Sequence, residues 1–102
     1  MKATKLPAQT EKSFQAQVEQ LAKLYGWKIY HTRYSFRSAA GFPDLVLVRP
    51  PRLIFAELKR NTGTVTPEQW NWILTLKEVP GVEVCIWRPE NWKDVDGCLE
   101  PK

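Results

Sequence analysis

Apolar residues along this chain follow two rhythms, one at helical spacing and one closer to alternation. Phe14, Val18, Leu21, Ala22 and Tyr25 recur at helical intervals and predict one apolar stripe. Thr10 stands where an N-cap belongs, and Gly26 where a left-handed residue ends a helix. The predicted helix therefore runs from Thr10 to about Tyr25. Trp27 to Thr32 reads as a strand with Trp27, Ile29 and His31 on one face. Asp44 to Val48 is apolar on both faces after its first residue, the pattern of a central strand. Arg49-Pro50-Pro51-Arg52 is a turn, and Leu53 to Lys59 is the next strand. Thr66-Pro67-Glu68-Gln69 combines a cap, a proline at the first helical position and a glutamine three residues after the cap. Trp70, Ile73 and Leu74 give that helix its expected apolar face, and Pro80-Gly81 ends it. Val82 to Trp87 is a strand stopped by Arg88-Pro89, and Glu90 to Leu99 forms a short last helix carrying Trp92 and Val95. The order helix, strand, strand, strand, helix, strand, helix predicts an α/β fold with a mixed sheet flanked by helices.

Composition narrows this picture without naming a function. The 102 residues suit one domain with a modest core, preceded by a loosely held tail over 1–9. No apolar run approaches the roughly 20 residues of a membrane helix. Met1 to Thr10 lacks a signal sequence, so the expected location is cytoplasmic. Cys85 and Cys98 are too few for a disulfide scaffold or a zinc site and are expected as reduced thiols. The net charge of +4 is a mild bias toward polyanions. No glycine-rich phosphate loop supports a nucleotide cofactor. Five tryptophans are many for this length, and most are expected as core anchors. Trp72, off the expected apolar face of its helix, is the candidate for an interface.

Three ionisable side chains change the picture. Asp44 opens one apolar strand, and Glu57 and Lys59 close the next. In a hairpin those ends meet, and residues two apart share a face. A carboxylate among strand formers is costly unless it is paired or bound to a cation. Two converging carboxylates suit a hard divalent ion such as Mg²⁺, and a neighbouring lysine can orient a water or offset charge developing on a phosphate. The plainer reading is a salt-bridged hairpin end. Glu11 falls within the apolar stripe of the first helix, with Gln15 at its edge and Glu19 further round. An acid aimed inward from there reaches such a site, whereas the plainer role for Glu11 is to favour the helix dipole. His31 is the only histidine. Arg33 to Ser38 interleaves Arg33 and Arg37 with aromatics and hydroxyls, including Ser38, immediately before Gly41-Phe42-Pro43-Asp44. That mixture suits phosphates and unpaired bases. Arg60 lies in a polar loop basic enough to touch a phosphate. Gln69 has a structural role as a capping-box residue.

The wording Gly41-Phe42-Pro43-Asp44-Leu45-Val46-Leu47 with Ala56-Glu57-Leu58-Lys59 resembles the PD-(D/E)XK nuclease signature, and most closely its VRR-NUC branch. Phe14-Gln15, Gly26-Trp27, His31-Thr32-Arg33, Glu68-Gln69-Trp70 and Val84-Cys85-Ile86-Trp87-Arg88-Pro89 extend the resemblance from about Thr10 to about Leu99. It implies a single VRR-NUC domain over residues 1–102 with a restriction-endonuclease-like core, and a metal-dependent DNA endonuclease. Mg²⁺ or Mn²⁺ would be held by Asp44, Glu57, the Leu58 backbone carbonyl and Glu11, the acid the resemblance favours on the first helix; Glu19 is its alternative. Lys59 and Gln69 would complete the catalytic set. Gln15, His31, Arg33, Arg37, Ser38 and Arg60 would face DNA. Stand-alone relatives resemble four-way (Holliday) junction resolvases, which implies branched DNA and a homodimer. A flap- or nick-directed repair nuclease, a restriction-type enzyme and a non-catalytic DNA-binding module are the alternatives.

Overall fold

Thr10 caps the first helix as its position predicts, with its Oγ1 accepting from the Ser13 N–H at 3.0 Å. The computed structural model describes residues 10–32 and 39–101. The tail over 1–9 and the candidate DNA residues Arg33, Arg37 and Ser38 lie outside the described residues. The elements are α1 (Glu11–Leu24), β1 (Lys28–His31), β2 (Leu45–Arg49), β3 (Arg52–Leu58), α2 (Pro67–Lys77), β4 (Val82–Trp87) and α3 (Trp92–Leu99). A single 3-10 turn, Pro89–Asn91, leads into α3. Gly26 ends α1 at φ 85°, the left-handed conformation expected there.

One mixed sheet carries the fold, with strand order β1-β2-β3-β4. The first two pairings are antiparallel, and β4 joins β3 in parallel after the chain crosses over through α2. Leu45, Leu47, Ile54, Ala56 and Leu58 share one face. They pack with Phe14, Val18 and Ala22 of α1 and with Val95 and Leu99 of α3 into a buried core. Burying each larger side chain contributes roughly 1.5–3 kcal/mol. Trp27 joins this core, and its Nε1 donates to the Leu99 carbonyl at 2.8 Å. At the end of the sheet far from Asp44, the Arg52 guanidinium grips both Glu83 carboxylate oxygens at 2.6 and 2.8 Å and donates to the Cys98 carbonyl. That fork ties β3, β4 and α3 together. Both cysteines are free thiols.

The α2 helix crosses the opposite face, turned differently from the expectation. Trp70 is 41% exposed and Leu74 56% exposed. Gln69, Trp72, Ile73 and Leu76 point inward instead. The cause is Phe42, which stacks edge-on against Trp72 at 5.0 Å and against Phe55 at 5.9 Å. Trp72 is therefore a packing anchor and not the exposed interface residue its spacing suggested. No helix among the described residues is long and apolar enough to cross a membrane.

Candidate functional site

The β2–β3 hairpin turns tightly through Pro50-Pro51, and its register pairs Leu45 with Ala56. Continued by one residue, that register sets Asp44 opposite Glu57 on the face that α2 crosses. The hairpin thus brings together two acids that stand thirteen residues apart in the sequence. Asp44 is fixed from two sides. Its Oδ2 accepts from the Leu58 N–H at 2.8 Å. Its backbone carbonyl accepts from the Thr32 N–H at 2.8 Å, while the Thr32 hydroxyl holds the Pro43 carbonyl at 2.9 Å.

Glu57 is 1% exposed. Its Oε2 accepts from Gln69 Nε2 at 2.9 Å, and Lys59 Nζ lies 3.8 Å from the same oxygen. Its Oε1 is buried and has no hydrogen-bond donor among the described residues. The Asp44 carboxyl is close enough to share a proton with Glu57. Burial, and then the Asp44 charge, pushes Glu57 up to about 8, against the opposing pull of Lys59. Burial also raises Asp44, although the Leu58 N–H pulls it down. Two carboxylates in contact, one with an orphaned oxygen, call for a proton or a cation between them. Mg²⁺ is commonly held by one or two carboxylates together with waters and substrate phosphates, so this donor set fits it.

Gln69 serves two roles at once. Its Oε1 accepts from the Thr66 N–H at 2.9 Å, closing the capping box that starts α2, and its Nε2 reaches Glu57. The same helix start is pressed against the loop before Asp44. A Cβ on Gly41 would lie 2.5 Å from the Glu68 carbonyl carbon and 2.7 Å from the Gln69 nitrogen, at φ +87°. Gly41→Ala should therefore cost about 3 kcal/mol through clash and strain. Gly81 has a similar φ of +82° with nothing among the described residues within 4 Å of an added Cβ, so Gly81→Ala should cost only about 1 kcal/mol. Thermal denaturation of the two variants separates strain from contact; equal losses would mean the Gly41 contact is unimportant.

The remaining expected site residues are not all gathered here. Glu11 is exposed on the first turn of α1, and its charge adds to the upward push on Asp44 and Glu57. Among the described residues no three His, Cys, Asp or Glu side chains form a cluster suited to a metal ion, so the acids in contact are a pair. Gln15 Nε2 donates to Glu19 Oε2 at 2.9 Å, so the two neighbours engage each other. His31, half-buried, ends β1 opposite Leu45, one residue along from the Thr32–Asp44 link. Arg60 is exposed immediately after Lys59. Sequence reasoning missed Thr32 as a clamp on Asp44, because the thirteen residues between β1 and β2 are too many to fix the register that sets the two side by side.

Burial of an acid also sets a pH dependence. Without a cation, folded Glu57 holds its proton well above the ordinary value of 4.5. The folded chain then binds more protons than the unfolded chain, so raising pH favours unfolding. This contribution is full below 4.5 and is lost as pH rises through about 8. The melting temperature in chelator should fall across that window, and Glu57→Gln should flatten the fall. Identical pH profiles for parent and variant would contradict the buried-acid assignment.

No protein-family model matches the sequence, and no curated protein matches it. Solved structures do. One described as a "VRR_NUC domain protein" superposes with a TM-score of 0.71 at 21% identity, over 91% of this chain and 87% of that one. Another, described as a "VRR_NUC domain", gives 0.67 at 21% identity, over 87% of this chain and 92% of that one. At such identity the likeness establishes the fold and leaves the chemistry to the side chains. The chain adopts the VRR-NUC fold, in keeping with the restriction-endonuclease-like α/β architecture expected from its motifs.

Proposed function

We propose that this chain of VRR-NUC fold is a divalent-cation-dependent DNA endonuclease, with Asp44 and Glu57 holding Mg²⁺ or Mn²⁺. The observation that carries the reading is the orphaned, buried Glu57 Oε1 beside Asp44. The Leu58 carbonyl, at the end of β3 between the two key side chains, is the backbone donor of the set. Glu11 acts through water from the first turn of α1. A bound cation would supply Lewis-acid polarisation of the scissile phosphate and acidify a water molecule. Lys59 orients the attacking water or offsets negative charge on the phosphate oxygens in the transition state. Gln69 keeps Glu57 in position by donating to Oε2, leaving Oε1 for the ion. Asp44 is kept in place by the Leu58 N–H. Gln15, His31, Arg33, Arg37, Ser38 and Arg60 supply the DNA-facing polar and basic groups, with phosphate contact as their main role.

The substrate in this proposal is branched DNA, with four-way junctions first and flaps or nicks second. Symmetric nicking of a junction needs two sites, hence a homodimer. Exposed Trp70 and Leu74 on α2, together with Tyr30 on β1, offer apolar area for one. A cleavage panel of linear, flapped and four-way substrates, each with and without Mn²⁺, tests the reading. Cation-dependent cleavage of branched DNA supports it. Cleavage of none of these substrates would leave a DNA-binding module, and cutting of linear duplex at fixed sites would make the chain a restriction-type enzyme.

A further inference from the structure

We infer that Arg88 is the positioning residue for Lys59, acting through the loop that follows that lysine. The functional arm of this inference rests on the nuclease reading; the structural arm does not. The strands β3 and β4 run in parallel, with Leu58 beside Trp87. The chain therefore leaves the sheet at Lys59 and Arg88 side by side, and the Lys59 N–H donates to the Trp87 carbonyl at 3.0 Å. Arg88 Nη1 then donates to the carbonyls of Arg60 and Gly63, both at 2.6 Å, and more weakly to that of Asn61 at 3.5 Å. Three carbonyl oxygens turned toward one point repel one another, and a guanidinium offsets this with charge-assisted hydrogen bonds. Within the loop, the Gly63 N–H closes onto the Arg60 carbonyl at 3.0 Å. Asn61 Oδ1 accepts from the Glu90 N–H at 3.0 Å, which straps the loop to the turn after β4.

The loop so held forms a wall of the Lys59 site. A Cβ on Gly63 would lie 3.5 Å from Lys59 Cδ, so Gly63 flanks the aliphatic stem with room for no more than about a methyl group on that side. Lys59 is only 8% exposed, although Arg60, Asn61 and Thr62 after it are all exposed. A free lysine stem carries about 2 kcal/mol of rotamer entropy, so its aim depends on what encloses it. Without Arg88 the three carbonyls lose their common donor, the loop swings out, and Lys59 gains both solvent and rotamers.

Amine acylation of the full chain, read residue by residue by mass spectrometry in chelator, tests this without reference to activity. In the parent, Lys59 should react slowly compared with exposed Lys77 and Lys93. Arg88→Ala should raise the rate at Lys59 severalfold and leave Lys77 and Lys93 unchanged, while Arg88→Lys gives an intermediate rate. On cleavable DNA, kcat should fall roughly a hundredfold with KM and salt dependence unchanged, because the loss is one of aim. Added guanidinium ion should restore part of both parent properties in Arg88→Ala. A parent-like Lys59 rate in folded Arg88→Ala would overturn the inference. So would a loss confined to KM with a shallower salt dependence, which would make Arg88 a phosphate contact. If Arg88→Ala does not fold, Arg88→Lys decides: faster labelling of Lys59 than in the parent supports the brace, and the parent rate refutes it. Absence of any cleavage by the parent would end the nuclease reading while the acylation arm still decides the brace.

Discussion

Asp44→Asn should lower DNA cleavage at least ~1000-fold and at the same time raise the stability of the cation-free chain. The two effects have one cause. The asparagine oxygen still accepts from the Leu58 N–H, so the hairpin end keeps its shape. What disappears is a negative charge beside Glu57. That charge is, after burial, the largest reason Glu57 sits near 8, so its loss eases the folded state above neutral pH. A carboxylate that only braces a hairpin predicts the reverse, with lost stability and no change in cleavage. Thermal denaturation in chelator and cleavage rates on the same preparations separate the two. Cleavage by Asp44→Asn within roughly tenfold of the parent would remove Asp44 from the chemistry.

Lys59→Met should cut kcat by about 100- to 1000-fold while leaving Mn²⁺ affinity near that of the parent. Methionine keeps the buried aliphatic body and removes the ammonium, which lies 3.8 Å from Glu57 Oε2. The distance is long for a strong ion pair, and Gln69 already satisfies that oxygen at 2.9 Å. Lys59 is therefore placed beside the acids without being consumed by them, as a group reserved for water or phosphate would be. Its charge also restrains the Glu57 shift. The variant should accordingly extend the pH-dependent loss of cation-free stability to higher pH. Kinetics with saturating Mn²⁺ and a parallel binding titration give both numbers. A variant that loses Mn²⁺ affinity and keeps kcat would assign Lys59 to shaping the cation site instead.

Local chemistry made much of this legible in the sequence. Thr10, Gly26 and Thr66-Pro67-Glu68-Gln69 mark helix ends by rules that need only neighbouring residues. The Asp44–Glu57 meeting was readable because a tight turn fixes the register of a hairpin, and only one register brings both acids to the same place. The facing of α2 was not readable. Trp70, Trp72, Ile73, Leu74 and Leu76 put apolar groups on nearly every side of that helix, so its periodicity selects no stripe. Phe42, from a loop thirty residues earlier in the chain, makes the choice. The Arg88 brace was hidden for another reason. Its acceptors are backbone carbonyls of residues 60, 61 and 63, and a carbonyl leaves no mark on a sequence. Nothing in the sequence marked the helix start that presses against Gly41.

The most direct test is a Mn²⁺ titration, followed by electron paramagnetic resonance, of the parent beside Asp44→Asn and Glu57→Gln. The parent should bind Mn²⁺ at a single site that Mg²⁺ displaces, that both variants lose, and that fills in step with the rise of DNA cleavage. A parent that takes up no Mn²⁺, or variants that bind it as the parent does, would contradict a cation site at Asp44 and Glu57.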